Sequence, residues 1–195
     1  MAGVVLLVVV LTVMVGALGG WARTTPNDVR LVTPGVEVEV APLRVRLDAA
    51  AAAYEVSGRL AEPGRAYVVV EGTLSLDHHE SVDGGVVADA FATDLRSTYD
   101  QFGELSDDAE PSVQVAEDGS SLRGLGPGLT YGVLLVYEID ESAVPSTLTV
   151  SLLEHVRRSS SFDVSEVGWF DPSPLARVTL DLVPLPDERP AQDSW

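Results

Sequence analysis

An all-β domain, an antiparallel β-sandwich preceded by one N-terminal transmembrane helix, is the fold this sequence predicts. Three observations carry the prediction. Residues 2–18 form an uncharged apolar run directly after Met1. Seven or more later segments alternate apolar and polar side chains with period two, the pattern of a strand with one face in a core and one in water. Turns rich in Gly, Pro, Ser and Asp separate those segments, at the spacing of a sandwich rather than of helix-linked parallel strands.

Residues 1–23 open the chain as an anchor or signal segment. At ~1.5 Å per helical residue the run from Ala2 to Ala22 covers roughly 32 Å, the thickness of a bilayer's hydrocarbon layer. Its length and the Trp21 at its end suit an uncleaved anchor. Small residues at Gly16-Ala17 and Gly20-Trp21-Ala22 keep a cleaved signal peptide open, although the basic n-region such peptides carry is missing. A buried core helix is disfavoured, because the run has no polar stripe. By the positive-inside rule, Arg23 and Arg30 after the run point to a cytosolic domain, against the exported character of the body.

Residues 24–35 contain two prolines and read as a tether, and residues 36–183 as the sandwich. Val36, Val38 and Val40 alternate with Glu37 and Glu39, and Leu43, Val45 and Leu47 with Arg44 and Arg46, with Pro42 at a strand end or bulge. Residues 49–53, all alanine, suit a strand edge or a short helical turn. In residues 67–76, Val68, Val70, Leu74 and Leu76 share one face. Residues 87–102 fit a helix face or a strand and are read as strand. Val113 and Val115 mark a short strand. Residues 131–139 are apolar on both faces, which predicts a central strand. Two more alternations, Leu148-Val150-Leu152 and Val178-Leu180-Leu182, complete the set, and the Pro-rich residues 184–195 read as a disordered tail.

The composition sets limits on chemistry. Thirty acidic residues oppose twelve basic ones for a net charge of −18, and every basic residue is Arg. The absence of Lys, with one Asn (Asn27) and one Ile (Ile139), has the look of GC-rich coding, so the arginines imply no special role. Such a charge repels nucleic-acid backbones and anionic lipids, excluding nucleic acid as a partner. There is no cysteine, which removes disulfides, thiolate catalysis and Cys-bound zinc. No nucleophile elbow surrounds Ser120-Ser121 or Ser159-Ser160-Ser161, and no catalytic residue or cofactor is expected.

Two constellations remain. Acidic residues crowd residues 77–118, and Asp77, Glu80, Asp83, Asp107 and Asp108 are candidate oxygen ligands for Ca²⁺, though without the spacing of a calcium loop. His78 and His79 lie among them; neighbouring side chains of an extended chain point apart and do not readily share one ion, so a divalent transition-metal site and a pH-sensitive surface loop stay as minor readings. His155, before Arg157 and Arg158, reads as a solvated strand end in a small basic patch. Trp169 and Phe170 form the candidate interaction site, one ring expected inward and one outward.

Three stretches carry a family resemblance: the apolar leader with its Thr/Pro tether, Gly64-Arg65-Ala66-Tyr67-Val68-Val69-Val70-Glu71, and Leu125-Gly126-Pro127-Gly128-Leu129-Thr130 running into residues 131–138. The Pro-Gly pair sets a tight reversal before that strand. Across roughly residues 43–182 the body resembles the bacterial extracellular immunoglobulin-like (telokin-like) domains of unknown function, whose sandwich is related to that of the mycobacterial secreted immunoprotective antigen. The resemblance implies an immunoglobulin-like sandwich without catalytic residues, held at the cytoplasmic membrane by a single-pass helix with the domain on the extracytoplasmic side, or secreted after cleavage. The function expected is that of a noncatalytic interaction or accessory module with an unknown protein partner; the alternative is an exported domain holding Ca²⁺ in its acidic loops.

Overall fold

A computed structural model describes residues 29–106, 109–162, 165 and 167–190. The predicted leader, the first residues of the tether, Asp107, Asp108 and the last five residues lie outside this set. Among the described residues, no helix is long and apolar enough to cross a membrane.

The chain runs through β1 (Arg30–Val32), β2 (Val38–Val40), β3 (Leu43–Ala53), the pair β4 (Glu55–Val56) and β5 (Arg59–Leu60), and β6 (Arg65–Leu76). Shorter pieces follow: β7 (Val82–Asp83), helix α1 (Gly84–Ala88), β8 (Phe91–Thr93), β9 (Thr98–Tyr99), β10 (Leu105–Ser106), β11 (Ser112–Val115) and β12 (Gly124–Leu125). The long strands β13 (Thr130–Asp140), β14 (Thr147–Ser159) and β15 (Val167–Val183) close the fold.

Strands β2, β3, β6 and β13 lie side by side, with β9 and β11 on the far edge of β13 and β10 beyond β9. Strands β1, β15, β14 and β8 form the second group. A two-residue parallel pairing, Leu182 and Val183 with Ala50 and Ala51, joins the groups. Both contribute to a single core, in which Leu74, Leu135 and Ile139 of the first meet Leu148, Val150 and Leu180 of the second, each at 2 % exposure or less. The result is a β-sandwich-like fold.

The period-two expectation for residues 67–76 and the central-strand expectation for residues 131–139 match the structure. Val68, Val70, Leu74 and Leu76 all face the core, and β13 is flanked on both sides. The alanine run belongs to β3. Between Leu47 and Ala49 the β3–β6 register shifts, with Asp48 as the extra, outward residue. That bulge advances the phase by one, so Ala50 and Ala52 occupy the face that Leu43, Val45 and Leu47 began. The pairing survives there because Gly72, opposite Leu47, has no Cβ to strike the Arg46 carbonyl.

Several expectations are corrected. The sandwich is not wholly antiparallel, since β1 and β3 both run parallel to β15. Residues 30–32, read as tether, form β1; three residues at a sheet edge with Leu31 exposed carry too little pattern to register as a strand. Residues 87–102 are not one strand: Val87 sits in α1, capped by the Asp83 side chain, and the chain then makes β8 against β14 and β9 against β13. Ser97, at a φ of 56°, bends the chain between them. The tail is tied to the body at Leu185 and Arg189. Arg189 donates to the carbonyls of Ala61 and Glu62, both at 2.6 Å, and covers the Tyr54 ring, while Leu185 packs on the core. A Pro-rich composition conceals what one five-donor guanidinium can tie down.

Tyr137 of β13 is 2 % exposed, and its hydroxyl has no hydrogen-bond partner among the described residues. Burial pushes the phenol well above its ordinary value. Tyr137→Phe removes the cost of the unmatched hydroxyl and is expected to stabilise the fold by about 1 kcal/mol at neutral pH. Above the ordinary tyrosine value of 10.0, the unfolded chain ionises at this residue while the folded chain does not. Rising pH therefore releases protons on unfolding, and the native chain loses about 1.4 kcal/mol per pH unit relative to the variant. Urea unfolding at pH 7 and pH 11 measures both; a variant less stable than the native chain at pH 7 refutes the expectation.

Candidate functional site

His78, His79 and Glu80 of the loop after β6 meet the distal half of the β14–β15 ribbon, which carries Trp169 and Phe170. The loop is tied to the body at its start, where the Asp77 N–H donates to the Pro42 carbonyl at 2.9 Å and the Asp77 carboxylate pairs with Arg44 at 2.9 Å. It then bends instead of extending. The Glu80 N–H donates to His78 Nδ1 at 3.1 Å, and the two imidazole rings stand 4.3 Å apart. The expectation that His78 and His79 diverge assumed an extended chain, and the bend overturns it.

The ribbon holds the loop from the other side. Trp169 meets the His78 ring edge-on at 5.3 Å, and Arg157 donates to Glu80 Oε2 at 2.5 Å. One residue on, Arg158 forks onto both oxygens of Asp171 at 2.5 and 2.9 Å and lies over the Phe170 ring at 4.7 Å. Those guanidinium hydrogen bonds hold the Asp171 carboxyl below the usual carboxylate range. Successive strand residues point to opposite faces, so the two rings separate: Trp169 packs on the core, and Phe170 lies under Arg158.

His155 is buried, correcting its reading as a solvated strand end. Its side chain is 1 % exposed, its Nε2 lies 3.2 Å from Asp89 Oδ2, and its Nδ1 has no partner among the described residues. A register shift between Glu154 and Val156 reverses the alternation and turns this imidazole inward.

The candidate oxygen ligands do not converge. Asp77 is engaged by Arg44, Glu80 by Arg157, and Asp83 accepts from the Gly85 N–H at 2.8 Å as the cap of α1. Asp107 and Asp108 lie outside the described residues. What does converge is His78, His79 and Glu80, with one donor atom from each lying within 4.8 Å of the others. The adjacency was legible in the sequence; the bend that makes it a cluster was not.

The ribbon also exposes apolar surface that the sequence reading passed over. Val156 and Val167 are 52 % and 53 % exposed, and Phe162 at the turn is fully so. Beyond the short pairings with β8 at Leu152 and with β1 at Ala176, this half of the ribbon has no further strand beside it among the described residues.

No family model matches the chain, and no curated protein is related to it closely enough to match. Among solved structures it is similar to an uncharacterised β-sandwich protein of Clostridium difficile 630, with a TM-score of 0.51 at 11% identity over 82% of this chain and 97% of that one. The chain has a β-sandwich fold. A conserved hypothetical protein of Bacillus anthracis is a more distant match, with a TM-score of 0.35 at 15% identity over 66% of this chain and 92% of that one. At these identities the likeness of this β-sandwich to the clostridial protein concerns architecture alone.

Proposed function

We propose that the chain is a noncatalytic interaction module, an immunoglobulin-like β-sandwich held by residues 1–23 at the cytoplasmic membrane with its domain on the extracytoplasmic side. The observation that carries this reading is the distal β14–β15 ribbon. It places exposed Val156 across from Phe170, on the face of the Arg158–Phe170 stack, and exposes Val167 on its other face and Phe162 at its turn, on an otherwise acidic domain. Exposed apolar surface on a sheet end without a covering strand marks contact sites, and Arg and aromatic residues are favoured anchors of such contacts. The uncharged run of residues 2–18 supports the membrane placement by its length.

Phe170 and Phe162 replace Trp169 as the residues to test, because Trp169 packs on the core. In intact cells expressing the full chain with a C-terminal tag, the tag is expected in the membrane fraction and open to external protease. Proximity labelling from the domain is expected to mark a reproducible set of surface proteins, lost when Phe162→Ser and Phe170→Ala are combined without a change in melting temperature. Full-length protein in the soluble cytosol overturns the placement. An unchanged labelled set in the folded double variant overturns the ribbon as the contact surface.

A further inference from the structure

We propose that His78, His79 and Glu80 form a surface site for a divalent transition-metal ion of the Zn²⁺ or Ni²⁺ type. The site does not depend on the interaction reading above and differs in place and donor chemistry from a calcium loop. Two imidazoles and one carboxylate are borderline donors that suit Zn²⁺, Ni²⁺ and Cu²⁺, whereas Ca²⁺ takes oxygen ligands.

The geometry gives each donor a role. His78 accepts the Glu80 N–H at Nδ1, which holds this ring beside Glu80; metal binding by the ring exchanges that hydrogen bond for a metal bond at Nδ1, or takes Nε2 after it gives up its proton. The edge of Trp169 supports the same ring. His79 offers Nε2, which lies 3.6 Å from Glu80 Oε1. The Glu80 carboxylate is divided: Oε2 is held by Arg157 at 2.5 Å, and Oε1 faces the imidazole. An outer partner that holds a ligating carboxylate in place is a regular part of metal sites.

The three donors lie within 4.8 Å of one another. Ligands about 2.0–2.1 Å from a tetrahedral ion stand roughly 3.4 Å apart, so closure takes a movement of a little over 1 Å. The side chains of His79 and Glu80, 78 % and 57 % exposed, have the freedom to make it. The Asp77 N–H on the Pro42 carbonyl and the Asp77 carboxylate on Arg44 hold the start of the loop on the body. The net charge of −18 raises the local cation concentration. Three protein ligands leave the remaining coordination positions to water.

Calorimetric titration of the full chain, in detergent and without a histidine tag, with ZnCl₂ and separately with NiCl₂ at pH 7.5 tests the site. One-to-one binding with a Kd on the order of micromolar is expected. His79→Ala and Glu80→Gln are each expected to weaken it by about tenfold or more, while Glu117→Gln, an acidic residue outside the cluster, leaves it unchanged. His79 is exposed, so its loss should not unfold the domain, and the melting temperature of each variant confirms that. No saturable heat with either ion, or an affinity unchanged in a folded His79→Ala variant, overturns the proposal.

Discussion

Replacing Gly72 with alanine is expected to destabilise the fold by about 3 kcal/mol and to lower its melting temperature by roughly 6–12 °C. A Cβ built on Gly72 stands 2.2 Å from the Arg46 carbonyl oxygen and 3.2 Å from its carbon. Both atoms are backbone, so no rotamer change relieves the clash, and β3 and β6 must part at the bulge that sets the phase of the rest of β3. Two other glycines calibrate the effect. Gly132 lies on neighbouring β13, opposite Thr73, where a Cβ would meet Ala116 Cβ at an ordinary 3.6 Å. Gly132→Ala should therefore be neutral or slightly stabilising. Gly58 has nothing within 4 Å but a φ of +75°, so alanine there bears only the left-handed backbone cost, about 1 kcal/mol. Thermal unfolding of the three full-length variants gives the order; a Gly72→Ala protein melting within 2 °C of the native chain on the scale just used would refute the steric account.

Truncation at the centre of the first sheet has a comparable cost. Leu135 is fully buried, paired with Val70 on one side and Val113 on the other. Leu135→Ala removes three buried carbons and leaves a void between well-packed strands, which costs about 2–5 kcal/mol. Leu129, in the turn before β13, is 49% exposed, and its truncation is expected to change stability by no more than about 0.5 kcal/mol. Urea titration separates the pair. Equal midpoints for the two variants would mean that β13 does not lie at the centre of the core.

The contrast between these leucines was legible before any coordinates existed. Leu135 lies in a segment apolar on both faces, and Leu129 beside the Pro127-Gly128 turn. The same alternation located β3, β6, β14 and β15, because a long strand with one dry face repeats its pattern often enough to stand above chance. Short elements were illegible for the same reason. Neither β1 nor β8, at three residues each, completes two periods, and their status as strands comes from the neighbour that supplies their hydrogen bonds.

The candidate site divides along the same line. Which residues have ligand or contact chemistry, His78, His79, Glu80, Trp169 and Phe170, follows from residue type. Whether they meet depends on a bend at His78 and on a ribbon about ninety positions later in the chain. The inward turn of His155 likewise depends on a register shift that the strand's own alternation does not announce.

By itself, then, the sequence determined the β-rich class, the central place of β13, the acidic charge and the lack of thiol chemistry. Each is a sum over composition or a short local period. The tertiary structure alone decided the parallel seam between Leu182 and Ala50, the bulge opposite Gly72, the docking of Arg189 and the closing of the His78–His79–Glu80 loop against Arg157 and Trp169. Every one of these joins residues far apart in the chain, and their pairing is set by which surfaces the folded strands bring within hydrogen-bond or van der Waals reach, a quantity that no local pattern encodes.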